Sequence, residues 1–274
     1  MLYTQEQTLN FSEQHFAYLI VEEKENVLTI TLNRPEKRNA FHIPLANELA
    51  YALAYAHYNN QIWCVVLKAN GSVFCAGADL KAFAGDDTTE KPSTIPMPKE
   101  MIKLGEEFNG LHKPCIAQVH ADVYAGGFLM IGGCTHVIAV ESAKFGLPEV
   151  KRGIFPFQVM ATLEPLMSAR QLLDLCIRAK TLSAQEAKEY GLVTEIVTPE
   201  NLENSVQQLI EEIKEQSPTA IRLGLKAYHE MKSISADEKH KYLHAMLMQC
   251  LQSKDAAEGL AAFKEKRKPE WRGN

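Results

Sequence analysis

Apolar and polar positions follow two different periods along the first part of the chain. The segments 17–23 and Val27–Leu32 are rich in β-branched and apolar residues, with the polar Lys24-Glu25-Asn26 between them. They predict a β-hairpin. Pro35 closes that register, because proline has no N–H to give to a ladder. Over 42–58 apolar residues recur at Leu45, Leu49, Leu53 and Ala54, a helical period. The run IWCVVL at 62–67 is continuously apolar, as in a strand buried on both faces. Cys115–Val119 and His136–Val140 read as further short strands, with a small-residue helix from 125 through Cys134 between them.

Strands alternate with helices to about residue 160, which predicts an α/β fold of stacked units. Beyond that point the pattern is mostly helical. Ser183 and Glu186 form a capping box, with Gly191 as the C-terminal stop. Leu202, Val206, Leu209, Ile210 and Ile213 make an apolar stripe, and Ser217-Pro218 opens another helix. The chain therefore divides into a core at 1–195 and a helical region at 196–274. The stretch 85–99 (GDDTTEKPSTIPMPK) combines three prolines with several charges and reads as a mobile surface loop or lid.

Composition narrows the class. The 274 residues are 46% hydrophobic and 23% charged, an ordinary globular balance. A net charge of −5 argues against a nucleic-acid surface. The six cysteines form no CxxC pair, which favours reduced thiols over a disulfide framework or a metal site. No apolar run reaches the ~18 residues of a membrane span. The first 20 residues hold Glu6 and Glu13 but no Lys or Arg, unlike a signal or transit peptide. A soluble, cytoplasmic protein is expected.

Three segments carry chemistry. Phe74-Cys75-Ala76-Gly77-Ala78-Asp79-Leu80-Lys81 follows a strand and a turn; its small residues let a ligand approach free backbone N–H groups. The same composition also fits a tight turn under a helix. Ala125-Gly126-Gly127 stands directly before an apolar helix, where N–H groups lack intrahelical partners and the dipole favours negative charge. Close helix packing would use such glycines too. In Phe145-Gly146-Leu147-Pro148-Glu149 the carboxylate has apolar neighbours, which raise its pKa and make it a useful base. A solvated strand-end glutamate is the alternative.

Together these segments resemble the crotonase (enoyl-CoA hydratase/isomerase) superfamily. The likeness extends to Leu32-Asn33-Arg34-Pro35 with Asn39-Ala40, to TLSAQEAKEYGLV, and to the tail Glu258-Gly259-Leu260…Phe263-Lys264-Glu265-Lys266-Arg267. The resemblance implies a crotonase-like spiral of ββα units and a helical C-terminal region for assembly as a homotrimer or a dimer of trimers. It implies an acyl-CoA substrate with coenzyme A as part of that substrate, no permanently bound cofactor and no metal. By position, the N–H groups of Ala78 and Gly126 would hold the thioester oxygen and Glu149 would move protons. Lys37, Arg38 and Ala40, with Ala76, Asp79, Leu80 and Lys81, would line the nucleotide end of coenzyme A. Phe263 and Lys266 would reach a neighbouring subunit's ligand.

One departure matters. Hydratases of this family use two glutamates, and the first would lie three residues after Gly126, where this chain has Leu129. Leucine can neither polarise water nor move a proton. One carboxylate beside an oxyanion hole suffices for a 1,3-proton shift, so the pattern favours an enoyl-CoA isomerase. The alternatives are a hydratase with an unusual second group, a decarboxylase or thioesterase, and a catalytically weak acyl-CoA-binding or scaffold protein. His120 and Asp122, where the family has Asn-Gly, are either acid–base groups from an unusual direction or turn residues. Phe155-Pro156-Phe157-Gln158-Val159 replaces a Gly-rich run and implies a reshaped acyl pocket.

Overall fold

The computed structural model describes residues 1–83 and 92–274. Strands β1 (Leu19–Lys24) and β2 (Val27–Leu32) form the antiparallel hairpin. Its turn residues Glu25 and Asn26 both have positive φ, 49° and 69°, the twist that two-residue hairpins need. Helix α1 (Ile43–Tyr58) crosses to β3 (Cys64–Ala69), which lies parallel to β2 and starts two residues later than the apolar run. Helices α2 (Leu80–Phe83) and α3 (Leu104–Gly110) precede β4 (Cys115–Val119). Then come β5 (Val123–Tyr124), α4 (Phe128–Ile131), β6 (His136–Val140) and β7 (Lys144–Gly146). Next follow α5 (Phe157–Leu163), α6 (Ala169–Arg178), β8 (Thr181–Ser183), α7 (Ala184–Glu189) and β9 (Glu195–Val197).

Six strands form one sheet in the order β1-β2-β3-β4-β6-β9, parallel after the first hairpin. A second sheet has the order β5-β7-β8. Leu28, Ile30, Val65, Leu67, Ile116 and Ile138 are fully buried; each such side chain contributes roughly 1.5–3 kcal/mol. The Ser183–Glu186 capping box opens α7, and Gly191 follows at φ +79°.

Four helices close the chain: α8 (Leu202–Lys214), α9 (Pro218–Glu230), α10 (Lys239–Leu251) and α11 (Lys254–Glu265). Helix α8 buries Leu202, Val206 and Ile210 of its stripe. Asp255 is buried and accepts from Thr219 N at 3.2 Å and Arg272 N at 3.0 Å, joining the starts of α9 and α11 to the tail. Leu243, Leu247, Leu251, Leu260 and Phe263 stand exposed on α10 and α11. Among the described residues no helix is long and apolar enough to cross a membrane.

The first 18 residues form a strap over the outer side of α1. Phe11 stacks on Tyr55 with ring centroids 3.7 Å apart. The buried Glu48 carboxylate accepts from Ala17 N at 2.7 Å and Tyr18 N at 2.9 Å. Of the stretch 85–99, residues 85–91 lie outside the described residues. The rest is pinned: Thr94 N donates to His15 O at 3.2 Å, and the Tyr3 hydroxyl lies 2.6 Å from Pro96 O and 2.5 Å from Asn47 Oδ1. Ile95 is buried beside Tyr3 and Tyr51 in a small second core. In the described part, residues 94–96 are therefore tied to the strap and to α1.

Candidate active site

Strand register sets the site. Cys75, Val123 and Phe145 form one row across parallel neighbours, through the Cys75–Val123 bridge and the Val123–Phe145 pair. Chains that run parallel from a common row leave at the same edge. Ala78 and Gly126 each lie three residues beyond the row, and Glu149 lies four beyond it. The three predicted chemical segments thus converge because their strands share a register.

Local bonding explains why two N–H groups remain free. Phe41 N donates to Gly77 O, and Asp79 N donates to Phe41 O, both at 2.8 Å. Backbone groups alternate sides in an extended segment, so the Ala78 N–H between them points away from the Phe41 backbone, its bridge partner. That side holds Gly126: a Cβ built there would sit 3.6 Å from Ala78 N. Gly126 lies in the first turn before α4, where no intrahelical acceptor is available. Among the described residues neither the Ala78 nor the Gly126 N–H donates to a protein acceptor. Gly126 must lack a side chain, since its Cβ would meet Phe41 Cε1 at 2.6 Å.

The turn before Gly126 carries strain. Ala125 has φ +51°, a left-handed conformation that costs a non-glycine residue roughly 1–2 kcal/mol. Tyr124 donates its hydroxyl to Asp122 Oδ2 at 2.8 Å, and Asp122 Oδ1 accepts from Lys144 N at 2.8 Å. Asp122 thus clamps β5 to β7. Burial and then the Asp122 carboxylate lift the Tyr124 hydroxyl above its ordinary pKa. His120 donates from Nε2 to Gly71 O at 2.8 Å. Both candidate replacements for the missing acid are tied into turns.

Glu149 opens a short 3-10 turn after Pro148. It is half-buried, and its Oε2 is enclosed with no hydrogen-bond partner among the described residues. Burial raises its carboxyl above the ordinary glutamate range, while the nearby Arg152 charge pulls the other way. Its own backbone N–H also holds the pKa down, but a desolvated carboxylate with one oxygen unbonded is poised to take a proton. Leu129 occupies α4, half-buried against the core.

The remaining predicted residues fall into two groups. Lys37 and Arg38 are exposed, Ala40 is half-buried, and Arg38 and Asn39 take left-handed conformations. Asn39 holds this turn against 70–73 by donating to Asn70 O at 2.7 Å and Val73 O at 3.0 Å. Ala76 N then bonds Arg38 O at 3.0 Å, so the Lys37–Ala40 and Ala76–Lys81 stretches lie side by side. Leu80 and Lys81 are exposed. The Asp79 carboxylate is committed to the fold by a 2.7 Å ion pair with buried Arg34. Burial raises its pKa, but the Arg34 guanidinium and the Ala82 N–H more than offset that and hold it below the ordinary range. Phe263, 85% exposed, and Lys266 stand at the end of α11, outside the row of site segments. Among the described residues no three His, Cys, Asp or Glu side chains form a metal-binding group. Sequence reasoning missed Phe41, Asp122's clamp and the strap; only non-local pairing reveals them.

Two backbone N–H groups without acceptors among the described residues and a half-buried carboxylate thus stand beyond one row of parallel-paired segments. The chain belongs to the enoyl-CoA hydratase/isomerase family, whose model matches residues 22–274. It is 30% identical over 251 residues to mevalonyl-coenzyme A hydratase sidH of Aspergillus fumigatus, covering 90% of this chain and 92% of that one. It is 26% identical over 258 residues to the mitochondrial enoyl-CoA hydratase domain-containing protein 3 of Xenopus laevis, covering 94% and 87%. An enoyl-CoA hydratase structure from Mycobacterium tuberculosis superposes with a TM-score of 0.82 at 28% identity, covering 94% of this chain and 99% of that one.

Proposed function

We propose that the protein is a single-glutamate enoyl-CoA isomerase. The thioester oxygen accepts from Ala78 N–H and Gly126 N–H, which favour the enolate over the neutral thioester. One such donor is worth roughly 3–4 kcal/mol in a water-poor site. Glu149 takes a proton from C2 of a 3-enoyl thioester, the electrons spread over the dienolate, and the same carboxyl returns the proton to C4. Mass is unchanged and the double bond moves to C2–C3.

The observation that carries this proposal is Leu129 on α4 together with His120 and Asp122 bound into turns. These leave Glu149 as the free carboxylate of the converging segments. Lys37, Arg38, Ala40, Ala76, Leu80 and Lys81, with the Asp79 backbone, line the nucleotide end of coenzyme A. The exposed apolar side chains of α10 and α11 support a homotrimer in which Phe263 and Lys266 meet a neighbour's ligand.

The test is to incubate the protein separately with 3-enoyl-CoA and 2-enoyl-CoA and follow products by mass and NMR. Conversion of the 3-enoyl thioester at constant mass is the expected result. Addition of water to 2-enoyl-CoA without isomerisation would replace the proposal with hydration, the activity in the names of the relatives above.

A further inference from the structure

Six free thiols are present, and two of them face each other: Cys115 Sγ and Cys134 Sγ are 3.4 Å apart. Cys115 opens β4 and is buried, while Cys134 lies just beyond α4 and is half-buried. Their backbones run side by side. Thr135 N donates to Cys115 O at 2.9 Å, and Cys115 N donates to Thr135 Oγ1 at 3.0 Å. The two thiols already face each other in van der Waals contact.

The chain between the two sulfurs holds β4, the clamp residue Asp122, the Gly126 donor and Leu129. We propose that Cys115 and Cys134 are a redox modification site: a small-molecule disulfide oxidises them to an intramolecular disulfide that closes the segment carrying the Gly126 donor. Cys134, the more accessible sulfur, attacks first as thiolate. Its sulfur bonds to one sulfur of the small disulfide and the other departs as a thiolate. The Cys115 thiolate then attacks Cys134 Sγ and displaces the second small thiol. Two protein S–H bonds become one S–S bond, two protons leave the protein, and two electrons reduce the small disulfide to two thiols. The hydrogen bond with Cys134 and then burial push the Cys115 thiol well up, which slows the second step; its intramolecular geometry offsets that.

Cys64 stands on the neighbouring strand and also feels Cys115 electrostatically, so the experiment must separate the two pairings. Full-length protein is treated with excess oxidised glutathione at mildly alkaline pH, quenched in acid, unfolded, alkylated and digested. Trypsin leaves 104–144 intact because Lys113 precedes Pro114, so one peptide holds both cysteines. The expected result is that this peptide loses two hydrogen atoms, takes no alkyl group and regains both thiols on reduction. The other four cysteines stay alkylatable. The Cys115→Ser protein should instead keep glutathione on Cys134. Full alkylation of the wild-type peptide after oxidation would overturn the proposal, as would glutathione retained on Cys134 or a Cys64–Cys115 link.

Discussion

Gly77 and Ala125 approach so closely that a methyl group on Gly77 would stand 2.5 Å from the Ala125 Cβ and 3.0 Å from Gly126 N. Gly77 also has φ +91°. The residue before Ala78 therefore touches the residue before Gly126, and the spacing of the two proposed oxyanion donors depends on a missing side chain.

Gly77→Ala should accordingly be costly on both counts. A forced left-handed alanine and a backbone shift each cost about 1–3 kcal/mol. The expected outcome is a folded but less stable protein, by thermal melt, that no longer exchanges the α-protons of a saturated acyl-CoA. Exchange at the wild-type rate would remove this contact from the site.

Glu149→Gln preserves shape and removes the base. Turnover of 3-enoyl-CoA should fall by at least ~10²–10⁴-fold, with acyl-CoA affinity by calorimetry changed only a few fold. Because burial raises the Glu149 pKa, wild-type turnover should decline on acidification at a pH above the ordinary glutamate range.

Leu129→Glu supplies the carboxylate that a two-acid mechanism needs. With 2-enoyl-CoA the variant should produce a hydrated thioester that the wild type does not. Its melting temperature should drop, since a half-buried leucine is exchanged for a charge. A wild type that hydrates as fast as the variant would show that a carboxylate at 129 is dispensable.

Tyr3→Phe removes the donor to Asn47 Oδ1. An unsatisfied buried acceptor costs about 1–3 kcal/mol. Hydrogen exchange should rise at the Thr94 amide, which bonds His15 of the strap, while exchange in β3 and β4 stays slow. Unchanged protection at Thr94 would mean that the strap does not hold this stretch.

His57, His112 and His229 cluster where α9 meets the end of α1, with ring centroids 5.3 and 5.8 Å apart in sequence along the group. Burial, then the charges of His57 and His229, lower the His112 pKa from 6.5 to about 4. The unfolded chain then takes up a proton near pH 6.5 that the folded chain refuses until about pH 4. Stability from this group is complete above pH 6.5 and is lost as pH falls towards 4. His112→Gln should flatten the melting temperature against pH across that window.

What was legible in the sequence was local. Val27–Leu32, the Ser183–Glu186 box and the Ser217-Pro218 start each announce themselves within a few residues, and the structure has all three. Ala78, Gly126 and Glu149 stood out by composition and resemblance, but their convergence did not. It depends on the Cys75–Val123–Phe145 row, made by a single bridge and strands of two and three residues. Such strands are too short to show a period, and their partners lie far along the chain. The strap has no period either. Its order comes from Tyr3, Phe11 and Phe16 meeting Tyr51 and Tyr55. The helix expected through Cys134 stops at Ile131, where Gly132 and Gly133 pack against Thr162 and Phe108.

Because the strap covers its outer side, α1 has almost no face towards water. Leu45, Leu49, Ala52 and Leu53 meet the main core, while Ala50, Tyr51 and Ala54 meet the second one. Most surface helices accumulate substitutions on one side without penalty. Here nearly every position from 45 to 56 is closed to drift, and alanines that look like filler act as fixed spacers between two packed layers. Random mutagenesis should find this helix as intolerant as the central strands, although it carries no proposed chemistry.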